Sequence, residues 1–146
     1  MFANLGLAAL CALFYAFGVA DRRLLLAMGA ALAEAAADTV SSEIGQAVGG
    51  IPRLVTNWSK VPAGTDGAIT LAGVTSAITV GLVCLLAGIF RWRALVVCAG
   101  AGSAGMLADS LLGATLERRG LVGNNRVNFL STAVSAVVAF VVALVL

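Results

Sequence analysis

The chain has 146 residues, 61% of them hydrophobic and 11% charged, with a net charge of +2 and no histidine. Its mean hydropathy is +1.05, whereas soluble domains carry roughly 25% charged residues because water must wet most of their surface. One core of this length cannot hide so much apolar surface, which excludes a soluble globule and leaves lipid as the solvent; the lack of His excludes His-based metal sites and His general bases.

Stretches of roughly 20 mostly apolar residues mark the membrane spans. The first runs from about Ala3 to Ala20 and ends at Asp21-Arg22-Arg23, with no basic segment before it of the kind a signal peptide carries. The second covers about Leu24 to Gln46. A polar segment bearing Gly and Pro follows, from Val48 to Gly67. The third span is about Ala68 to Phe90, closed by Arg91-Trp92-Arg93, an aromatic and basic interface signature. The fourth is about Ala94 to Glu117, closed by Arg118-Arg119, and the fifth runs from Val127 to Leu146. The expectation is an all-α fold: a polytopic membrane helix bundle of about five transmembrane helices in one integral-membrane domain, 1–146.

Basic residues do not orient the bundle. Arg22, Arg23, Arg91 and Arg93 fall on one side, and Arg53, Lys60, Arg118, Arg119 and Arg126 on the other, four against five. The alternation does place the second and fourth loops on the same side. Cys11, Cys84 and Cys98 lie in apolar runs without C-x-x-C spacing and read as packed, inert thiols.

The second span carries acids. Leu24, Leu25, Leu26, Leu32, Val40 and Ile44 favour insertion by ~2–4 kcal/mol in total, while Glu34 and Asp38 oppose it by ~2.5–3.5 kcal/mol each. The segment must therefore be held inside a bundle with its acids turned to partners, water or metal. Glu34, Asp38 and Ser42 form one helical stripe. Beside it Gly29, Ala33, Ala37, Ser41 and Gly45 make a small-residue ridge suited to close helix approach. In the fourth span Gly100, Ala104 and Ala108 form a matching ridge, followed by Asp109. Asp38 and Asp109 stand at a similar depth of about 13 Å from their exits, placed to share a divalent cation. The competing reading is a structural network in which each acid pairs with an Arg or a hydroxyl.

The second loop offers Arg53, Lys60, Thr65 and Thr70 around Gly64 and Gly67. A Gly- and Thr-rich turn entering a helix presents backbone N–H groups and a favourable dipole to phosphate, and the two cations add charge. An ordinary capping turn has the same composition. Asn124, Asn125 and Asn128 at the mouth of the fifth span read equally as caps or turn formers. GAGSAG at 100–105 matches G-x-G-x-x-G, but no βαβ unit surrounds it and Asn124 and Asn125 stand where a dinucleotide fold needs an acid. Helix packing explains these glycines better.

Taken together, ADTVSSEIGQ (37–46), PRLVTNWSKVPAGTDGAITLAG (52–73) and ADSLLGATLERRGLVGNNRVNFLST (108–132) resemble an integral-membrane family, long of unknown function, that contains chloroplast phytyl-phosphate kinase and the animal transmembrane protein nineteen. The resemblance covers essentially the whole chain, and members of that family usually have further spans before the point where it starts. Asp38, Gly45, Lys60 and the Gly64-Thr65-x-Gly67 stretch are also distantly similar to CTP-dependent dolichol kinases and phosphatidate cytidylyltransferases, which use membrane-embedded aspartates and divalent metal.

The resemblance implies a kinase that transfers phosphoryl from CTP or another nucleoside triphosphate to a phytyl or other prenyl monophosphate. Asp38 and Asp109 would hold Mg²⁺, and Glu43 would be a further ligand or orienter. Arg53, Lys60, Gly64, Thr65, Gly67 and Thr70 would bind phosphates. Asn124, Asn125 and Asn128 would complete the pocket, and the lipid tail would lie in the small-residue groove between spans two and four. The second and fourth loops would be cytoplasmic, in the cell membrane if the source is prokaryotic. Membrane lipid, the prenyl phosphate and the nucleotide are the expected partners, no nucleic-acid polymer is expected, and self-association stays open. A small cation- or proton-coupled transporter or channel using Glu34 and Asp38 is the alternative, and a scaffold bundle the third reading.

Overall fold

A computed structural model describes residues 2–19, 21–48, 50–72 and 92–145. Most of the expected third span lies outside the described residues, with Cys84 and Arg91. Helix α1 (Phe2–Phe14) runs into a wider π-helical turn, Tyr15–Val19. It stops at Gly18, whose φ of 125° breaks the helical path. Asp21 then caps α2 (Arg22–Ala47), accepting a hydrogen bond from the Arg23 backbone N–H at 2.9 Å and an ion pair from its guanidinium. The same guanidinium sits 5.4 Å from the Phe140 ring, tying this turn to the far helix.

After α2 the chain forms a small hairpin. Strand β1 (Arg53–Leu54) pairs antiparallel with β2 (Ala68–Ile69), Arg53 opposite Ile69 and Leu54 opposite Ala68. The third span was expected to begin at Ala68; instead Ala68 and Ile69 belong to the hairpin, and helix begins at Leu71. Gly67, in the left-handed region at φ 73°, makes the turn into β2.

Helix α3 (Trp92–Leu112) continues through a second π-helical turn, Gly113–Glu117. Helix α4 (Asn124–Val142) starts at Asn124, three residues before the expected Val127, because the extended backbone of Gly123 serves as its N-cap. Among the described residues three helices are long and apolar enough to cross a membrane, and Leu5–Gly18 is a shorter apolar helix. The protein is an all-α polytopic membrane bundle.

Its packing is that of a protein solvated by lipid. Leu13, Phe14, Val96, Leu111 and Val137 are exposed, while most of the buried residues are Ala, Gly, Ser and Thr. Lipid tails are as apolar as Leu, so association rests on close van der Waals contact between small residues. Ala27 and Ala31 of α2 meet Ala8 and Cys11 of α1 and Ala136 of α4. Ala30 meets Ala101 and Ala139, and Ala37 meets Met106. Cys11 and Cys98 are buried, as expected for packed thiols, and the Cys98 thiol donates to the Leu26 carbonyl at 3.6 Å.

The ridge on α3 is not the expected one. Gly100 faces open space, whereas a Cβ on Gly102 would come within 3.0 Å of the Ala33 Cβ. One on Gly105 would stand 2.6 Å from the Glu34 Cγ and 2.8 Å from the Ser131 carbonyl oxygen. The facing row is Gly102–Gly105, rotated away from Gly100, Ala104 and Ala108. Among the described residues the small faces of α2 and α3 are in direct contact at Gly102 with Ala33 and at Gly105 with Glu34.

Candidate functional site

Where α2, α3, α4 and the hairpin loop converge, they enclose an open cavity of about 320 Å³. Two glycine contacts hold the loop there. A Cβ on Gly45 would stand 2.8 Å from the Thr70 Oγ1, and one on Gly113 would stand 3.0 Å from the Gly67 nitrogen. The loop thus lies directly on the ends of both helices, through the Thr70 side chain at Gly45 and through its backbone at Gly113.

Each wall contributes polar groups. Helix α2 presents Asp38, Ser41 and Ser42; α3 presents Asp109, Ser110 and Glu117; the loop presents Gly64 to Gly67 with Thr70. Asn124 and Asn128 enter from the first turns of α4, one helical turn apart. The second and fourth loops therefore meet at one end of the bundle. Gly123 is the N-cap and Asn124 the first helical residue, so the asparagines stand inside the helix and not at its cap. Glu117 reaches the cavity from the π-helical turn, a local widening often found at functional sites.

The electrostatics are one-sided. Asp38, Asp66, Asp109 and Glu117 all line the cavity, and among the described residues no Lys or Arg does. These carboxylates are close enough to act on one another: Asp38 with Asp109, Asp109 with Glu117, and Glu117 with Asp66. The Asp109 Oδ1 is buried without a hydrogen-bond partner. Such an acceptor costs roughly 1–3 kcal/mol unless something fills its coordination. Among the described residues no group of three or more acidic or cysteine side chains is arranged to hold a metal alone. A Mg²⁺ ion needs only one or two protein carboxylates, completing its shell with water and substrate phosphate, and Asp38 with Asp109 fits that role.

Behind this pair lies a second layer. Glu34 is 1% exposed, one turn below Asp38, and does not line the cavity. The Ser131 hydroxyl, itself fully buried, donates to the Asn128 carbonyl at 3.0 Å, and the Ser131 backbone and the Glu34 side chain both close on Gly105. Ser135, one turn further along α4, donates to the Ala30 carbonyl at 2.8 Å.

Several expected site residues stand elsewhere. Glu43 and Asn125 are exposed and do not line the cavity. Arg53 and Lys60 pair with each other across the hairpin on its exposed side, and the Arg53 guanidinium donates to the Trp58 carbonyl at 2.8 Å. The loop also uses some of its own donors: the Thr65 N–H goes to the Pro62 carbonyl and the Ala68 N–H to the Thr65 carbonyl. Asp66 and Glu117 escaped the reading of the sequence. Asp66 was legible as the acid between Gly64-Thr65 and Gly67; Glu117 was taken only as the end of a span.

An integral-membrane bundle with an acidic cavity at one end is the class this architecture defines. The model of the family described as Integral membrane protein DUF92 matches residues 1–136. The chain belongs to that family. It is 43% identical over 116 residues to an uncharacterized membrane protein of Methanocaldococcus jannaschii, covering 76% of this chain and 48% of the relative. An uncharacterized membrane protein of Synechocystis is 32% identical over 139 residues, covering 90% and 54%. Protein VTE6, chloroplastic, of Arabidopsis thaliana is 32% identical over 109 residues, covering 70% and 33%. The chain spans about half the length of the first two relatives and a third of the last. No solved structure matches it.

Proposed function

We propose that the protein is a membrane-embedded prenyl-phosphate kinase, passing the terminal phosphoryl group of CTP or another nucleoside triphosphate to phytyl or another isoprenoid monophosphate, with Mg²⁺. The observation that carries this is the cavity: four carboxylates and two asparagine amides line it at one end of the bundle, and among the described residues no Lys or Arg does. A polyphosphate enters such a site only with metal. Family membership and the resemblance to phytyl-phosphate kinase supply the substrate class.

Bound there, Mg²⁺ would neutralise phosphate charge. Asp38 and Asp109 would hold it from opposite helices, and the Asn124 and Asn128 amides would donate to phosphate or nucleotide oxygens. An oxygen of the acceptor monophosphate forms the new bond to the γ-phosphorus as the bond to the β,γ-bridging oxygen breaks, releasing the nucleoside diphosphate. The acceptor is already anionic, so the step asks for positioning and charge stabilisation rather than a strong base. Exposed Arg118 and Arg119 on the fourth loop and Arg126 in the first turn of α4 place positive charge at this end, which draws polyanions towards it. A nucleotide pool puts the second and fourth loops in the cytoplasm.

A cation- or proton-coupled transporter is the second reading, favoured by the burial of Glu34. Against it, among the described residues Ala30, Ala101 and Ala139 pack as an apolar cluster below Glu34, 0–2% exposed. The deciding experiment incubates the purified protein in nanodiscs with labelled CTP or ATP, Mg²⁺ and prenyl monophosphates. Diphosphate formation that Asp38→Asn or Asp109→Asn abolishes supports the kinase. Neither turnover nor nucleotide binding, with ion flux that depends on Glu34, would replace it with the transporter.

A further inference from the structure

Arg53 and Lys60 face away from the cavity, and what surrounds them gives them a different task. Between them sits Trp58 at φ 58°, the one non-glycine residue among those described with a positive φ. A bulky residue in that region is strained and persists only where its surroundings dictate it. Here the Trp58 N–H donates to the Leu54 carbonyl at 2.9 Å and the Arg53 guanidinium takes the Trp58 carbonyl at 2.8 Å. Leu54 anchors the hairpin from below, 4% exposed. With its backbone clamped on both sides, the indole is left 61% exposed, and Ile51, Val48 and Leu71 at the base of the same loop are 58%, 72% and 82% exposed.

The height of this surface is also set. Gly67, next to β2, packs on Ser110, Gly113 and Ala114. Those residues lie before the exit of α3 at Glu117-Arg118-Arg119, so the hairpin base sits at the level of the last apolar turn. That is the headgroup layer, where tryptophan rings and basic side chains settle. Two adjacent cations flanking an outward indole match an anionic headgroup: the charges meet its phosphate and the ring enters the glycerol and upper acyl region.

We infer that Trp58, Arg53 and Lys60 form an anionic-phospholipid binding site on the hairpin, separate from the acidic cavity and independent of the kinase reading. The occupant is a headgroup phosphate of the surrounding leaflet. Each cation there enriches anionic lipid about fivefold over neutral lipid.

The test uses Trp92→Phe protein, in which Trp58 is the remaining tryptophan, in nanodiscs containing lipids brominated on upper acyl carbons. Bromine placed on phosphatidylglycerol should quench Trp58 more than bromine at equal mole fraction on phosphatidylcholine. Lys60→Gln should remove about fivefold of that preference while the emission stays blue-shifted. The substitution changes the Lys60 side-chain charge and keeps its backbone bridge to Arg53, so this variant isolates charge from loop structure. Emission typical of water, with no quenching by either lipid, overturns the inference. Equal quenching by both lipids overturns the headgroup recognition. Shielding that appears only at high protein-to-lipid ratio marks contact with a second copy and overturns it too.

Discussion

Gly67 and Gly113 lie backbone against backbone, with a Cβ on Gly113 standing 3.0 Å from the Gly67 nitrogen. The reverse substitution is worse, since a Cβ on Gly67 would run into Ala114 and the Ser110 carbonyl. This contact seats the loop over the acidic pair. Gly67→Ala combines a left-handed backbone penalty with a steric one, roughly 2–4 kcal/mol together. Gly64→Ala, at φ 81° but facing open space, should cost only about 1–2 kcal/mol. Limited proteolysis of the loop and thermal melting in detergent would rank the two, with Gly67→Ala the more susceptible.

The helix seam makes a similar contrast. At Gly105 a Cβ meets the Glu34 side chain, which can shift, and the Ser131 carbonyl and Ser135 Cβ, which cannot without moving α4. Gly105→Ala should therefore destabilise the bundle by roughly 1–3 kcal/mol. Gly100→Ala should be neutral or stabilising by up to about 1 kcal/mol, because its Cβ meets nothing within 4 Å and alanine favours helix. Melting temperatures of the two proteins should move in opposite directions or leave Gly100→Ala unchanged.

Glu34 separates the two functional readings. Glu34→Gln keeps the volume and the hydrogen-bonding capacity of this buried side chain, so folding should be preserved and kinase turnover should stay within a few-fold. Glu34→Ala empties a fully buried side-chain volume at the seam beside Gly105 and should destabilise by roughly 2–5 kcal/mol. A transporter would instead lose ion flux in Glu34→Gln at unchanged stability. Parallel turnover and flux assays on this one variant decide between them.

Metal binding has a readout besides activity. Saturating Mg²⁺ at about 100 times its dissociation constant stabilises the folded protein by ~2.7 kcal/mol. The wild type should melt higher with Mg²⁺ than with EDTA. Asp38→Asn and Asp109→Asn should lose that difference, and turnover should fall by about 100-fold or more. Their melting in EDTA should not drop, because each substitution removes one of the charges that Asp38 and Asp109 direct at each other. An unchanged Mg²⁺ effect in both variants would remove these two residues as ligands.

The sequence alone determined that the chain lives in lipid, roughly where its described helices run, and that Asp38 and Asp109 sit at like depth near two loops on one side. Those features follow from transfer free energy, which each residue contributes in order along the chain. Tertiary structure decided which way the helices turn and where the loop goes. Helix α3 is apolar or small all round, so Gly100, Ala104 and Ala108 looked as suitable a seam as Gly102 and Gly105. Only the fit of α3 against Ala33 and Glu34 chose between them. Likewise, no local pattern tells that Ala68–Ile69 folds back on Arg53–Leu54. That pairing carries Gly64 to Gly67 and Asp66 into the cavity while turning Arg53 and Lys60 out of it. A strand register depends on what the two strands rest against, and here they rest on the ends of α2 and α3.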